Sequence, residues 1–184
     1  GFIYSKGTLV TCSDAGVLPA MWIDPEKAEL RDAGETKSTD IMHQKDKAET
    51  GTLKAEIGNP VIVEDASAPG GEYTVWDLVT FGHYPQTEIL ETSSEKDLFR
   101  ALEKAASEGE EIVTLDGMQY KRLNGRWFRF DPIVWRVLEV KDGTALLMAD
   151  RGLDCVPYHS VYEDVFWEDS ELRGWLNGTT PKKK

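Results

Sequence analysis

The chain has 184 residues, of which 40% are hydrophobic, with six Trp and a formal net charge of −12. That size suits one ordinary domain plus a tail or linker. The charge repels phosphate backbones and argues against duplex nucleic acid as a partner. No apolar run approaches the roughly 20 residues that a membrane span needs, and no basic-then-apolar leader is visible.

In chain order, residues 1–24 read as short strands. Phe2-Ile3-Tyr4 leads into a turn-prone Ser5-Lys6-Gly7, and Thr8-Leu9-Val10-Thr11 follows. Residues 17–23 resume as a strand with Pro19 inside it, which marks an edge position or a bulge. Residues 25–72 change character and read as a flexible linker. Within them, 34–50 is rich in Lys, Asp, Glu, Thr and Ser and has no Phe, Tyr or Trp. Such a stretch buries too little apolar surface to offset its ordering entropy. A short strand is expected at Val61-Ile62-Val63, before a Pro/Gly-rich hinge at 66–71.

The main domain is expected over 73–178. Val75, Asp77, Val79 and Phe81 alternate with Trp76, Leu78 and Thr80, as in a strand with both faces largely apolar. Residues 94–108 predict a helix, with Ser94 as cap, Asp97 at capping-box spacing and Gly109 as the stop. Its apolar face is Leu98, Phe99, Leu102, Ala105 and Ala106. Strands at 111–115, 118–123 and 126–130 are joined by Asp116-Gly117 and Asn124-Gly125. Another pair, 133–140 and 144–148, surrounds Asp142-Gly143. Such dipeptides between alternating runs are strong hairpin signals. Residues 168–177 predict a second, short helix, and 179–184 a tail ending in Lys182-Lys183-Lys184. The expected fold is α+β, an antiparallel β-meander with two helices.

Candidate chemistry is sparse. Histidine as a residue type can serve as a base near neutral pH, which makes His83 a candidate, but it has no nucleophile motif beside it, which favours a packing role. Cys155 and His159 share a loop without an evident third, orienting residue, and His43 falls in the linker. Cys12 and Cys155 fit no CxxC pattern; a disulfide between them and two free thiols both remain open. Glu163, Asp164, Glu168, Asp169 and Glu171 admit calcium as a ligand, but the spacing is not that of an EF-hand. Carboxylates at a helix N-terminus explain the same run through the macrodipole, with Asp169 or Ser170 as the cap. No catalytic residue and no metal-ligand set is assigned. The binding candidates are Trp127 and Phe128, in an alternating run that has one wet face, together with Arg173 and Trp175. Leu172, Trp175 and Leu176 fall at helical spacing, which predicts a core-facing stripe if no ligand takes them.

Four segments carry a family resemblance: Phe81-Gly82-His83-Tyr84-Pro85-Gln86, Trp135-Arg136-Val137-Leu138, Ser170-Glu171-Leu172-Arg173-Gly174-Trp175-Leu176-Asn177 and Gly16-Val17-Leu18-Pro19-Ala20-Met21-Trp22-Ile23. Together they resemble the bacterial family known as domain of unknown function 6273. In that family the last of these segments closes the domain; here it comes first. The order implies a piece of a tandem array or a circular permutation. Leu18 stands where the family usually has Arg, residues 87–126 form a longer insert, and the family's Trp-rich second half is missing after Gly178. The resemblance implies a C-type-lectin-like fold in which the closing strand lies against the opening meander. Residues 17–23 are therefore expected to pair with the sheet containing Trp135, within the chain or from a neighbouring domain or subunit through the sheet edge. It also implies a non-catalytic binding or interaction module of a bacterial surface or secreted protein, taking a glycan or protein ligand. A structural spacer repeat and a hydrolase with an unrecognised site are the other readings.

Overall fold

The computed structural model describes residues 18–39, 52–54, 56–92, 94–107, 109–154, 156–161 and 163–179. The chain divides into two compact units, one spanning Ala20–Asp150 and the other combining Gly1–Pro19 with Arg151–Lys184. The expected strands at 2–4 and 8–11, and Cys12, His43, Cys155 and the Lys182-Lys183-Lys184 tail, lie outside the described residues. So do residues 40–51.

Among the described residues, the larger unit is an eight-stranded antiparallel sheet with one helix. Its strands are β1 (Ala20–Ile23), β2 (Arg31–Lys37), β3 (Val61–Glu64), β4 (Glu72–Ile89), β5 (Ile112–Leu115), β6 (Met118–Leu123), β7 (Arg126–Lys141) and β8 (Thr144–Ala149); the helix is α1 (Lys96–Ser107). The main path runs β1-β8-β7-β4-β2, with β3 on β4 and the β5–β6 hairpin on β7. With α2 (Glu171–Leu176) in the smaller unit, the protein is mostly antiparallel sheet with two short helices, an α+β composition.

All three expected Asp-Gly and Asn-Gly turns form. Asp116, Asn124 and Asp142 have φ of 51°, 49° and 51°, and the glycine after each is also positive. Positive φ at both central residues is the type I′ hairpin, whose twist matches that of the flanking strands.

The closing segment joins the sheet within the same chain. Ala20, Met21, Trp22 and Ile23 pair with Met148, Leu147, Leu146 and Ala145 of β8, which in turn pairs with β7. Side chains on one face then line up in rows. Val79, Trp135 and Ala149 form one row; Val137, Leu147 and Met21 form the next. All of these but Met21 are buried. The indole N–H of Trp135 donates to the Phe81 carbonyl at 2.8 Å, so its polar atom is satisfied.

Three expectations need correction. First, the 25–72 stretch is not simply a linker: besides the expected strand at 61–63, which forms β3, it contributes β2, and both pair with β4. β2 (sequence RDAGETK) has few apolar residues because it is an edge strand held by its backbone ladder. Lys54 clasps it from outside, its ammonium 3.0 Å from Asp32 and 2.9 Å from Asp77. Second, the strand read over 75–81 does not stop there but continues through Pro85. β4 runs on to Ile89 by taking two register shifts, between Thr80 and His83 and between Pro85 and Glu88. Gly82, with φ of 67°, makes the first of these possible. Third, 126–130 and 133–140 are one strand: Asp131 and Pro132 continue the β4 pairing opposite Tyr84 and His83.

Beyond the pair Leu78 and Arg136, the two long strands part. Asn59 closes the opening on the β7 side. Its amide donates to the Val140 carbonyl at 3.1 Å, and its Oδ1 accepts the Val140 N–H at 2.7 Å. The side chain thus stands in for the peptide group of a neighbouring strand.

A second core lies under α1. Leu102, Ile89, Val113, Tyr120 and Trp127 are buried there, with Leu98, Phe99, Ala105, Ala106 and Leu115 packed against them. The apolar face expected for this helix is the one that packs. Its first turn begins after Glu95, whose carbonyl accepts from Phe99 N–H, whereas the Ser94 hydroxyl hydrogen-bonds Thr92. Burial pushes the Tyr120 phenol up.

Candidate functional site

Among the described residues, the exposed aromatic side chains Phe166, Trp167 and Trp175 lie in the smaller unit, and Trp22 on β1 in the larger one. The smaller unit is organised around Ser170, which is buried. The Ser170 hydroxyl donates to the Trp167 carbonyl at 2.9 Å and accepts the Arg173 N–H at 3.2 Å. It thereby joins the 3-10 turn Trp167–Asp169 to α2 and caps the helix, which decides between the two caps read from the sequence. Glu171 in the first turn of α2 receives the Ser160 N–H at 2.9 Å and the Ser160 hydroxyl at 2.6 Å. Leu172 N–H donates to the Tyr158 carbonyl at 3.2 Å. The Tyr158 hydroxyl donates to the Val165 carbonyl at 3.2 Å, and its ring lies 6.3 Å from that of Trp167. These hydrogen bonds tie Tyr158 and Ser160 to Val165, Glu171 and Leu172.

This strapping decides which way α2 faces. Gly174, four residues after Ser170, is the buried residue of the helix. Leu172 is half-buried, while Trp175 (45%) and Leu176 (47%) are exposed. The expected core-facing stripe is therefore turned outward, because the small side of the helix, Ser170 and Gly174, is the side that packs closely. Phe166 (78%) and Trp167 (51%) on the preceding turn are exposed as well. Exposed apolar side chains of this size within one short segment are a feature that marks interaction surfaces.

The charged groups around these aromatics are mostly acidic. Residues 158–176 hold Glu163, Asp164, Glu168, Asp169 and Glu171 against one guanidinium, Arg173. Arg173 is exposed and donates to the Glu168 carbonyl at 3.0 Å. His159 meets Glu163 at 3.1 Å. His159 and Ser160 are thus engaged by different carboxylates rather than by each other. Among the described residues, no group of three or more His, Cys, Asp and Glu is placed to hold a metal ion.

The four binding candidates read from the sequence separate. Trp127 is fully buried (0%), under α1, with its indole N–H donating to Glu103 at 2.9 Å. It is core, and its assignment as a wet aromatic is corrected. Alternation along β7 locates two faces but does not say that α1 covers one of them. Phe128 is half-buried beside it in the chain, pairing with Lys121 and Glu88. Phe130 stacks on His83 at 5.5 Å and carries Lys121 at 5.2 Å from its ring, so His83 has a packing contact. Arg173 and Trp175 are exposed and belong to the smaller unit. The structure adds Phe166 and Trp167 to that pair. Their signal was the Val165-Phe166-Trp167 run just ahead of a capping Ser, in a segment with no strand pattern to absorb it.

A second aromatic group lies on the sheet. Arg136 pairs with Asp150 at 2.7 Å and stacks over Trp76 at 4.7 Å. Its guanidinium is therefore occupied on two sides, which suits a structural clasp across β4, β7 and the end of β8.

No family model, curated protein or solved structure matches this chain.

Proposed function

We propose that this chain is a non-catalytic ligand-binding module of a bacterial surface or secreted protein, with its docking surface on the segment 158–176. The observation that carries this reading is the exposure of Phe166, Trp167, Trp175 and Leu176 on a scaffold held by the Ser170 and Glu171 hydrogen bonds. Aromatic anchors on a pre-organised frame lose little entropy on binding and dominate recognition energetics. The four sequence segments that resemble domain of unknown function 6273 support the bacterial-surface part of the proposal, as does the in-chain pairing of the closing segment with the sheet. A C-type-lectin-like arrangement belongs to the same proposal and rests on that resemblance. Glycan and protein ligands are the two classes it admits.

The test is a titration of the whole chain with defined oligosaccharides and defined peptides, followed by amide chemical shifts. Shifts concentrated in 158–176, lost in Trp167→Ala and Trp175→Ala proteins that melt normally, are the expected result. Shifts confined to the Arg136–Trp76 region, or none with any ligand, would overturn it.

A further inference from the structure

Resting on the docking surface just proposed, we infer that its ligand is a cationic, apolar polypeptide segment: one that sets Lys or Arg beside Leu-like side chains on the same face. Charge complementarity carries the inference. The exposed rings of Phe166, Trp167 and Trp175 sit in a stretch with five carboxylates and one guanidinium. The Arg173 guanidinium is already bonded to the Glu168 carbonyl. Among the described residues, no salt bridge or side-chain hydrogen bond reaches the exposed carboxylates of Asp164 and Glu168. The whole chain repeats the sign, with a net charge of −12. An anionic ligand would meet repulsion at every approach. A neutral ligand would stack on the rings and donate hydroxyl hydrogen bonds to the carboxylates, but would gain no charge attraction from them. A cationic one is held by charge at both, because ammonium and guanidinium groups are attracted to carboxylates and to the faces of indole rings alike.

The apolar half of the ligand follows from α2. Leu172, Trp175 and Leu176 lie at i, i+3 and i+4 on one side of the helix. A row of this kind is filled by apolar side chains spaced along another segment, as when an amphipathic helix lies against an apolar face. A small free cation reaches a ring but cannot cover such a row.

The probe is a short peptide of Leu and Lys at helical spacing, titrated into the whole protein. Its controls are the same peptide with Glu in place of Lys and a neutral chitooligosaccharide. The Lys peptide is expected to bind about tenfold or more tightly than the Glu peptide, and its affinity should fall as salt is raised. Trp167→Ala and Trp175→Ala should each weaken it about tenfold, the mark of an anchor residue. Asp164→Asn with Glu168→Gln should weaken it about two- to fivefold and reduce the salt dependence. Equal binding of the Lys and Glu peptides would overturn the inference. So would binding of the oligosaccharide alone, lost in the Trp variants; that result would leave the docking surface standing and remove only its cationic partner. Binding of any probe unaffected by both Trp variants would remove the docking surface as well.

Discussion

The two helices of this protein carry the same kind of apolar stripe and put it to opposite uses. In α1, Leu98, Phe99, Leu102, Ala105 and Ala106 pack onto the end of β4, the β5–β6 hairpin and the start of β7. In α2, Trp175 and Leu176 face solvent, and the buried residue is Gly174. Helical spacing tells that a face is apolar; it does not tell what covers it. In α1 the cover is a hairpin whose Trp127 and Arg122 both reach Glu103 of the helix, at 2.9 Å and 3.4 Å. In α2 hydrogen bonds from Ser160 to Glu171 and from Ser170 to the Trp167 carbonyl hold the frame, and the larger side chains face solvent.

The contrast breaks most easily at Trp127. Trp127→Ala empties a buried aromatic site and strips Glu103 of an indole donor, with an expected loss of roughly 3–5 kcal/mol in a denaturant melt. A loss under about 1 kcal/mol would mean that the α1 core is not the one described. On α2 the equivalent test is at the small side. Gly174→Leu forces a large side chain into the packed face of the helix, and overpacking of that kind costs about 1–3 kcal/mol. If Gly174→Leu melts like the parent, α2 does not pack through Gly174.

Much of the larger unit was legible in the sequence. The three Asx-Gly turns required positive φ at both central residues, and only a hairpin uses such a pair. The α1 stripe and the pairing of the closing segment with the Trp135 sheet were also readable. β2 was not, because an edge strand is held by its backbone ladder, and its side chains carry little apolar signal. The length of β4 and β7 was hidden by Pro85 and Pro132, which read as strand ends until the register shifts around His83 accommodate them. Asn59 was invisible, since its role depends on the splaying of two strands remote in sequence. For the candidate surface, Arg173 and Trp175 were named from the sequence, but Phe166 and Trp167 were missed and Trp127 was placed on the wrong side. Each of these depends on which face a neighbouring element covers, and that is a tertiary fact.

Smaller effects sharpen the picture of the sheet. Asn59→Ala removes two hydrogen bonds at the place where β4 and β7 part, and should cost about 1 kcal/mol in the same melt. No change would mean that water replaces the Asn59 amide at no loss.

The Lys54 clasp should make stability depend on pH at both ends. The Lys54 hydrogen bond, helped by the Gly34 N–H, holds Asp32 below the usual carboxylate range. Its contribution is present above that range and lost as pH falls through the lowered pKa. Burial pulls the Lys54 ammonium down, but the hydrogen bonds it donates to Asp77 and Asp32 outweigh it and hold the group above its usual value. That contribution is present below the ordinary Lys pKa and lost as pH rises through the raised one. Lys54→Met should therefore flatten the stability–pH curve at its acid and its alkaline ends. A variant curve parallel to the parent's would show that the clasp carries no such linkage.

The outward apolar face of α2 is tested most directly by a denaturant melt of the Trp175→Ser, Leu176→Ser double variant. Both side chains are exposed, so the expected loss is below about 1 kcal/mol, with the slope of the transition unchanged. A loss of about 3 kcal/mol or more would show that these residues are core and that α2 has no free face to offer a ligand.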